Sequence, residues 1–460
     1  MTTAQFKEAF RRGLGSAMIE LRSSDNRDAY KVVILWCCLH NTCYDMQSEG
    51  DRSTYLYSAI DLFEDKAYFE YAIIKKYQQR EIDTWLFEQL SGLLYYFAAN
   101  GSEAARDALY QRFEELIHRL PRIRNEHTLR EEGGQFEWLC VWLTSLDGFA
   151  AFKTIIDRVS IAFSKSKSPY FIMDWFYVNS AGKFGKKRVR AYMEKQAAKS
   201  SAMDEYWQEF HKTYLFTRGD EKRQPPTLQE FVDACRENVE KYGHDDKETN
   251  HFRLIGFTSI FARKATPEDL SAIANMVIAE DNIELKSLLF KVFCFTRFPL
   301  GEDYLFDLLN IGHEEIRDTA FMALEFFVSD AVRDFAVRLL TKGKETPDAI
   351  RLLCKNYREA DEALLFSTIK KLPITLNGEW HGAQMAVLGL FERSSFIPKT
   401  NILVFMYRKT FCSHCRHSIV EILHKKKLLS EDILEECLYD SYDNTRELAR
   451  RCGGLQSGGM

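Results

Sequence analysis

Arg317-Asp318-Thr319-Ala320-Phe321-Met322-Ala323-Leu324 begins with a cation, places a hydroxyl two positions later and continues with apolar residues at helical spacing. The same register occurs at Arg416-His417-Ser418-Ile419-Val420-Glu421-Ile422-Leu423. Five such anchors recur at similar intervals, namely Lys286, Arg317, Gly382, Arg416 and Arg446. The interval between Arg317 and Gly382 is about twice the others and leaves room for one more copy near Arg351. A period of about 30–35 residues in helical sequence is typical of stacked helix pairs, none of which can bury its apolar face alone.

The chain is therefore predicted to be all-α, an α-solenoid of helix pairs with a superhelical arrangement. Only 9 Pro and 23 Gly occur in 460 residues, which argues against a turn-rich β fold. Before Lys165, no segment alternates apolar and polar residues as a half-buried strand does. That part of the chain is helical but does not align with the C-terminal period. It is a degenerate continuation of the solenoid or a separate bundle, and we favour the continuation.

Composition and the positions of charged, proline and glycine residues predict four segments. Residues 1–217 form an N-terminal helical region, and residues 218–227 form a charged linker that closes with two prolines. Residues 228–452 form the repeat domain, and residues 453–460 form a Gly-rich, disordered tail. Within the repeat domain, the sequences at 266–269 and 346–348 each combine an N-cap threonine, a proline and acidic residues, a pattern that predicts a helix start.

The last repeat phrase resembles a known family of units. Residues 430–438, followed by residues 443–449, look like the helix, turn and helix of HEAT or armadillo-type repeats, including the turn Asp443 and the following Arg446. Gly382 replaces that arginine in one copy, and the usual proline of the first helix is mostly absent. The resemblance covers about half the chain. It implies a concave surface that binds a partner and carries no catalytic residues with it.

Charge and cysteine usage predict a cytoplasmic protein. The net charge is −5 and the pI is near 6.2, so the whole chain has no general attraction to nucleic acid. The segment from Met1 to Ser16 lacks the apolar core of a signal peptide, and the longest apolar run, Val32–Leu39, is too short to span a bilayer. Eleven scattered cysteines without such a signal indicate reduced thiols. We therefore expect no membrane association.

A local basic stretch between residues 164 and 200 is the most suggestive feature for binding. It holds nine Lys and Arg against two acidic residues, with aromatic residues interleaved. Cations that contact phosphates beside aromatic faces that stack on bases are what nucleic-acid binding needs. The alternative is a pair of helices with core aromatics and solvated lysines, which the helical spacing of Phe171, Trp175 and Val178 favours. The candidate binding residues here are Trp175, Lys183, Lys186, Lys187, Arg188 and Arg190.

Two further features are candidate sites. Trp380 and His381 lie where a repeat helix begins and are candidate binding residues. Trp380 is either an exposed anchor for a partner or a residue that packs at the helix start, and packing is favoured. Cys412-x-x-Cys415 resembles half a zinc site, but no second Cys-x-x-Cys occurs in the chain. A ligand from His381 or Cys437 would be required to complete it. Capping and packing are favoured, and no metal or cofactor is predicted.

Signatures of the common enzyme classes are missing. The sequence has no dinucleotide fingerprint, no P-loop, no His-Glu-x-x-His and no Gly-x-Ser-x-Gly. The leading hypothesis is a non-enzymatic scaffold that holds a protein partner on the concave face of the solenoid. The alternative is a nucleic-acid-binding protein that uses residues 164–200. By analogy with DNA glycosylases built from HEAT-like repeats, Asp174, Trp175 and Arg188 would be its candidate residues.

Overall fold

Every regular element among the described residues is a helix, which confirms the predicted all-α class. The computed structural model describes residues 1–217, 225–242, 247–375, 378–393, 396–399 and 401–453. Most of the predicted linker and nearly all of the predicted tail lie outside these ranges. The chain divides into two compact units. The first contains residues 1–220, 411–417 and 429–460, and the second contains residues 221–410 and 418–428.

Twelve α-helices precede the second unit in the described part of the chain. They are α1 (Thr3–Arg11), α2 (Gly15–Ser23), α3 (Lys31–Cys38), α4 (Met46–Glu49), α5 (Ser53–Ile60), α6 (Lys66–Tyr77), α7 (Thr84–Ala99), α8 (Glu103–Arg119), α9 (Glu126–Ser166), α10 (Asp174–Phe184), α11 (Lys186–Ala197) and α12 (Ser201–Thr217). The first unit also contains the last two helices, so it is built from both ends of the chain.

The second unit and the C-terminus supply the remaining helices. They are α13 (Leu228–Tyr242), α14 (Lys247–Lys264), α15 (Pro267–Ala279), α16 (Ile283–Phe290), α17 (Asp303–Leu308), α18 (Glu314–Leu324), α19 (Asp330–Lys342), α20 (Thr346–Leu353), α21 (Glu362–Lys371), α22 (Gly378–Arg393), α23 (Ile402–Lys409), α24 (Ser413–Lys425), α25 (Glu431–Cys437) and α26 (Asp443–Cys452). The boundary between the units falls within α24.

Capping residues explain where several helices begin. The hydroxyl of Thr266 accepts a hydrogen bond from the Asp269 N–H, and the Asp269 carboxylate accepts one from the Thr266 N–H, which confirms the predicted start of α15. The predicted cap at Thr346 is wrong by one residue. Glu345 occupies the N-cap position there, and Thr346 is the first residue of α20.

Helix α9 is the one described helix that is long and apolar enough, by length and composition alone, to cross a membrane. Core helices of soluble proteins pass the same test. In this chain 44% of its most apolar 18-residue window is buried. Leu139, Leu143 and Phe152 are fully buried in the core of the first unit. Gly148, with φ 63° and ψ −145°, interrupts the helical backbone midway.

The C-terminal helices pack closely on the N-terminal ones within the first unit. The Cα of Gly15 faces the backbone of α25, where a Cβ would lie 1.7 Å from the Glu436 carbonyl oxygen. Only glycine permits this approach. The Ser441 N–H donates to the Gly13 carbonyl at 2.9 Å, which joins the start of the chain to the loop before α26.

A buried ion pair lies next to the hydrogen bond between Ser441 and Gly13. Arg416 and Asp440 are both 0% exposed, and the Arg416 Nε and Nη2 donate to the two Asp440 carboxylate oxygens at 2.5 and 3.1 Å. The Arg416 Nη2 also donates to the Gly13 carbonyl at 3.2 Å. The guanidinium therefore connects α24, the loop before α26 and the loop between α1 and α2.

A second buried pair lies in the same unit. Arg52 donates to the Glu49 carboxylate at 3.1 Å. The same carboxylate accepts from the N–H and the hydroxyl of Ser413 at 3.0 and 2.6 Å. Burial alone would raise the pKa of Glu49, but Arg52 and the Ser413 hydrogen bonds outweigh it and lower that pKa. Glu49 is thus ionised in the folded protein and holds the start of α24.

We expect Arg416→Met to lower the free energy of unfolding by about 3–5 kcal/mol, because it leaves the buried Asp440 carboxylate without its cation. Urea unfolding of the full chain measures the loss. Adding Asp440→Asn should recover part of it. The matched control is Arg190→Met, which breaks an exposed pair with Glu194 and should cost less than about 1 kcal/mol. Equal losses in the two single variants would contradict a special contribution from the buried pair.

The buried carboxyl group of Glu88 leads to a second prediction about stability. Glu88 on α7 is 3% exposed, and no described residue hydrogen-bonds to its Oε2. Burial, and then the nearby Asp51, raise the pKa of Glu88 to about 8. The folded protein therefore holds a proton that the unfolded chain releases near pH 4.5, so stability should fall as the pH rises from about 4.5 to about 8.

Glu88→Gln removes this titration. The melting temperature of the variant, relative to the unmodified chain, should rise progressively between pH 5 and pH 8. The corresponding gain in the free energy of unfolding is about 2–4 kcal/mol at pH 8. The control is Glu64→Gln, at an exposed glutamate. A difference in melting temperature that does not change with pH would contradict the raised pKa.

Candidate binding surface

Residues 164–200 form the end of α9, a short connection and the helix pair α10 and α11 in the first unit. Gly185 is the single residue between the two helices, and its φ of +89° lies in a region that side chains with a Cβ rarely adopt. The chain therefore reverses tightly there. The C-terminal end of α10, with Lys183, is held next to the start of α11.

Three aromatic side chains of the stretch lie in the core, and Tyr170, Phe184 and Tyr192 are half-buried. Phe171, Phe176 and Tyr177 are at most 5% exposed, and their rings contact other buried rings of the first unit. Trp175 differs, since it is 36% exposed and lies against Trp138 at 4.1 Å between ring centroids. A row of exposed aromatic faces for stacking bases is therefore absent from residues 164–200, all of which the structure describes.

The basic side chains, in contrast, are exposed. We define the basic surface as Lys183, Lys186, Lys187, Arg188 and Arg190, all of which are exposed. The Arg188 guanidinium lies over the Phe149 ring at 4.1 Å, and Arg190 pairs with Glu194 at 2.7 Å. Partial burial lowers the pKa of Lys183. In the part of the chain that the structure describes, Lys186 and Lys187 form no ion pair or side-chain hydrogen bond.

The start of α11 concentrates positive charge in an unfavourable place. Lys186, Lys187 and Arg188 occupy the first turn, at the positive end of the helix macrodipole, where a cation costs about 0.3–1 kcal/mol. Gly185 at the N-cap has no side chain to accept a hydrogen bond from the helix. A negatively charged group bound at this surface would offset the repulsion between the macrodipole and these cations. It would also accept hydrogen bonds from the N–H groups at the start of α11, which Gly185 leaves uncapped.

In contrast to the basic surface at its C-terminal end, α10 is acidic at its N-terminal end. A cavity of about 710 Å³ there is lined by Asp174, Glu205 and Glu209, with Lys167 paired to Glu205. Beside it, Glu137 accepts a hydrogen bond from the Phe176 N–H at 2.8 Å, and burial raises the pKa of Glu137 to about 7. The carboxylates around this cavity would repel a phosphate backbone.

The three residues of the glycosylase analogy do not meet. Asp174 and Trp175 begin α10, whereas Arg188 lies over Phe149, whose ring contacts Phe184 at the other end of α10. Ten residues of helix separate Asp174 from Phe184, or about 15 Å at about 1.5 Å per residue. The acidic residue and the arginine therefore lie at opposite ends of α10.

In the second unit, Trp380 is a packing residue. It is 2% exposed, and its ring contacts Phe405 of α23 edge to face at 6.2 Å. Of the two alternatives for Trp380, its burial agrees with the packing role, because the indole of this candidate binding residue would have to leave the core to contact a partner. His381, the next residue of α22, is half-buried.

Cys412 and Cys415 are both buried at the start of α24 in the first unit. The Cys412 sulfur accepts a hydrogen bond from the Cys415 N–H at 3.4 Å, which is the arrangement of a helix N-cap. The hydrogen bond with Cys412, together with burial, raises the pKa of the Cys415 thiol. A thiol with a raised pKa is a weak nucleophile, so this geometry argues against a reactive redox pair.

Comparison with known proteins gives no match to a family model, to a curated protein or to a solved structure. The site must therefore be interpreted from its own chemistry. Sequence reasoning identified the basic surface but missed the acidic cavity, because Glu205 and Glu209 come from α12, outside the basic stretch. It also did not single out Arg22 and Arg450. They come from opposite ends of the chain, and nothing in the sequence indicates that they line a common cavity.

Proposed function

We propose that this chain is a non-enzymatic binding protein that holds an acidic protein partner through its basic surface. The observation that carries the proposal is the contrast within residues 164–200, where the cations are exposed and every aromatic ring except Trp175 is buried or half-buried. Lys186 and Lys187 face solvent without a carboxylate from the described residues. Carboxylates from a partner would complement them and the start of α11.

The scaffold in this proposal is a HEAT-like solenoid. In the second unit α16 packs on α18, α18 on α20, and α20 on α22, so that every second helix forms a layer. The repeat anchors Lys286, Arg317, Arg351 and Gly382 each lie on one of these four helices. Cations also pair with carboxylates on or just before the next helix of this series, as in Lys291–Glu315 and Arg317–Glu345. These regularities support stacked helix pairs.

Within the first unit, alternate helices also pack on one another. There α5 packs on α7 and α7 packs on α9, while α6 packs on α8 in a second layer. We therefore extend the proposal of paired helices to residues 1–217, although their sequence gave no register. Solenoids of this kind bind partners over extended surfaces rather than in a single cleft.

An acidic protein is favoured over single-stranded nucleic acid for two physical reasons. Binding single strands relies on stacking of bases on aromatic faces, and among the aromatic residues of the stretch only Trp175 is exposed. The chain also carries a net charge of −5, which opposes the approach of a long polyanion more than that of a compact acidic patch. Neither reason opposes a folded partner with clustered Asp and Glu.

The second candidate is a protein that binds the phosphates of duplex nucleic acid. The observation that favours it is the row of cations at Lys186, Lys187 and Arg190, which needs no aromatic platform to contact a phosphate backbone. Such binding would lose affinity steeply with added salt.

A charge-reversal experiment tests the proposal. We expect Lys186→Glu with Lys187→Glu to abolish capture of the partner from nuclease-treated extract of the native cells. Lys75→Glu with Lys153→Glu changes the net charge equally at exposed lysines outside the basic surface, and should retain it. Arg188 is left unchanged because its guanidinium packs on Phe149. Captured proteins are identified by mass spectrometry and compared across the three chains.

Three results decide between the candidates. A set of acidic proteins that is retained by the control and lost by the charge-reversed variant supports the proposal. Loss of all captured proteins on nuclease treatment, with duplex DNA bound in a salt-dependent manner by the purified chain, supports the second candidate instead. Equal capture by both double variants contradicts any contribution of the basic surface.

A further inference from the structure

A small cavity in the first unit is lined by three arginines from two distant parts of the sequence. It has a volume of about 180 Å³ and lies among α2, α5 and α26. Arg22 reaches it from the last turn of α2, and Arg446 and Arg450 reach it from one face of α26. We call this cavity the arginine pocket. Its wall also includes the hydroxyl-bearing residues Thr54 and Ser58 and the carboxylate-bearing residue Asp440.

The nearest carboxylate does not neutralise the arginine pocket. Asp440 is fully buried and gives both of its carboxylate oxygens to Arg416, at 2.5 and 3.1 Å. Toward Arg446 it offers its backbone carbonyl instead, which accepts from the Arg446 Nη1 at 2.5 Å. Arg446 also pairs with Asp443, an exposed residue. Arg446 is thereby fixed in place, and the charge of Asp440 is already compensated by another cation.

Arg22 and Arg450 carry the excess charge. The Arg22 guanidinium lies over the Tyr439 ring at 4.9 Å, a contact that orients it without neutralising it. Among the residues that the structure describes, neither the Arg22 nor the Arg450 guanidinium has a carboxylate or hydrogen-bond partner. Arg22 is exposed and Arg450 is half-buried, so water screens part of the repulsion between the two guanidinium groups, and an anion in the cavity would interact favourably with both.

The hydroxyl groups in the wall are occupied by internal contacts. Ser58 donates to the Thr54 carbonyl at 2.8 Å, and the Thr54 hydroxyl bonds to the Tyr96 hydroxyl at 2.7 Å. The charged donors that remain for a ligand are the N–H groups of Arg22 and Arg450, since Arg446 already donates to the Asp440 carbonyl and the Asp443 carboxylate. Two guanidinium forks from different helices suit an acceptor with oxygens in several directions, as a phosphate has.

We propose that the arginine pocket binds a phosphate group, presented as inorganic phosphate or as a phosphomonoester. The volume supports this choice. About 180 Å³ is well above the roughly 10–15 Å³ that one water needs, so the cavity has room for a phosphate. It is below the range of about 300–1,000 Å³ usual for drug-sized ligands, so a whole nucleotide would not be enclosed.

This site is distinct from the basic surface on α10 and α11 and does not depend on the function proposed above. A phosphate bound here would contact α2 and α26 together, and so it would join the first helices of the chain to the last. Binding should therefore raise the melting temperature of the full chain progressively as the ligand concentration exceeds the Kd.

The test is calorimetric titration of the full chain at low ionic strength. The ligands are inorganic phosphate, a phosphoserine peptide and the same peptide without phosphate. We expect saturable binding of phosphate or of the phosphopeptide, and none of the unmodified peptide. Arg450→Gln should weaken the affinity about 10- to 100-fold, since it removes a charge-assisted hydrogen-bonding group. Arg451→Gln is the matched control, because Arg451 is exposed and does not line the pocket.

A second variant shows whether weaker binding in Arg450→Gln comes from the lost guanidinium or from misfolding of α26. Arg22→Gln removes the arginine on α2 and should weaken phosphate binding similarly while leaving α26 unchanged. Competition between phosphate and the phosphopeptide would identify a phosphoprotein as the source, and binding of phosphate alone would identify a small free anion. Equal affinities in Arg450→Gln and Arg451→Gln, or no saturable binding by the unmodified chain, would overturn the proposal. The Lys186→Glu, Lys187→Glu chain should bind phosphate normally whether or not it captures a partner.

Discussion

The buried pair of Arg416 and Asp440 is the interaction on which the first unit depends. Removing two charges from water costs several kcal/mol for each ion, and this cost is repaid only where their hydrogen bonds are satisfied. Here both Asp440 oxygens accept from Arg416, and one Arg416 nitrogen also donates to the Gly13 carbonyl. A shifted register of the C-terminal helices would leave a buried charge unmatched. The pair therefore specifies one position for these helices, whatever its net stabilisation.

Close backbone packing follows from this constraint. With the loop before α26 held against Gly13, α25 approaches α2 so closely that position 15 cannot carry a side chain. The same placement brings Arg446 and Arg450 beside Arg22, from which the arginine pocket arises. The pocket is thus a consequence of the way the ends of the chain meet. Changes at Arg416 should disturb phosphate binding without any direct contact with the ligand.

The sequence predicted the fold class because its signal is periodic. The anchors from Lys286 to Arg446 recur at helical-repeat spacing, and the structure places them on every second helix from α16 to α26. Helical spacing also favoured core positions for Phe171, Trp175 and Val178, but only Phe171 is buried, whereas Val178 is half-buried and Trp175 is exposed. Contacts between distant segments were beyond this reasoning. Nothing local in the sequence marks the Gly13 carbonyl as the acceptor for the guanidinium of Arg416.

Charge in this protein is organised locally, and this decides which ligands each surface can bind. The opposite ends of α10 differ in sign, with carboxylates around the cavity near Asp174 and cations around Gly185. At about 8 Å, the Debye length in physiological salt screens these exposed groups from one another, so each acts over its own neighbourhood. A net charge of −5 therefore does not exclude an anionic partner. Among the described residues, the basic surface and the arginine pocket are two places where several cations lie together with few carboxylates, and these are the surfaces that we propose for anionic partners.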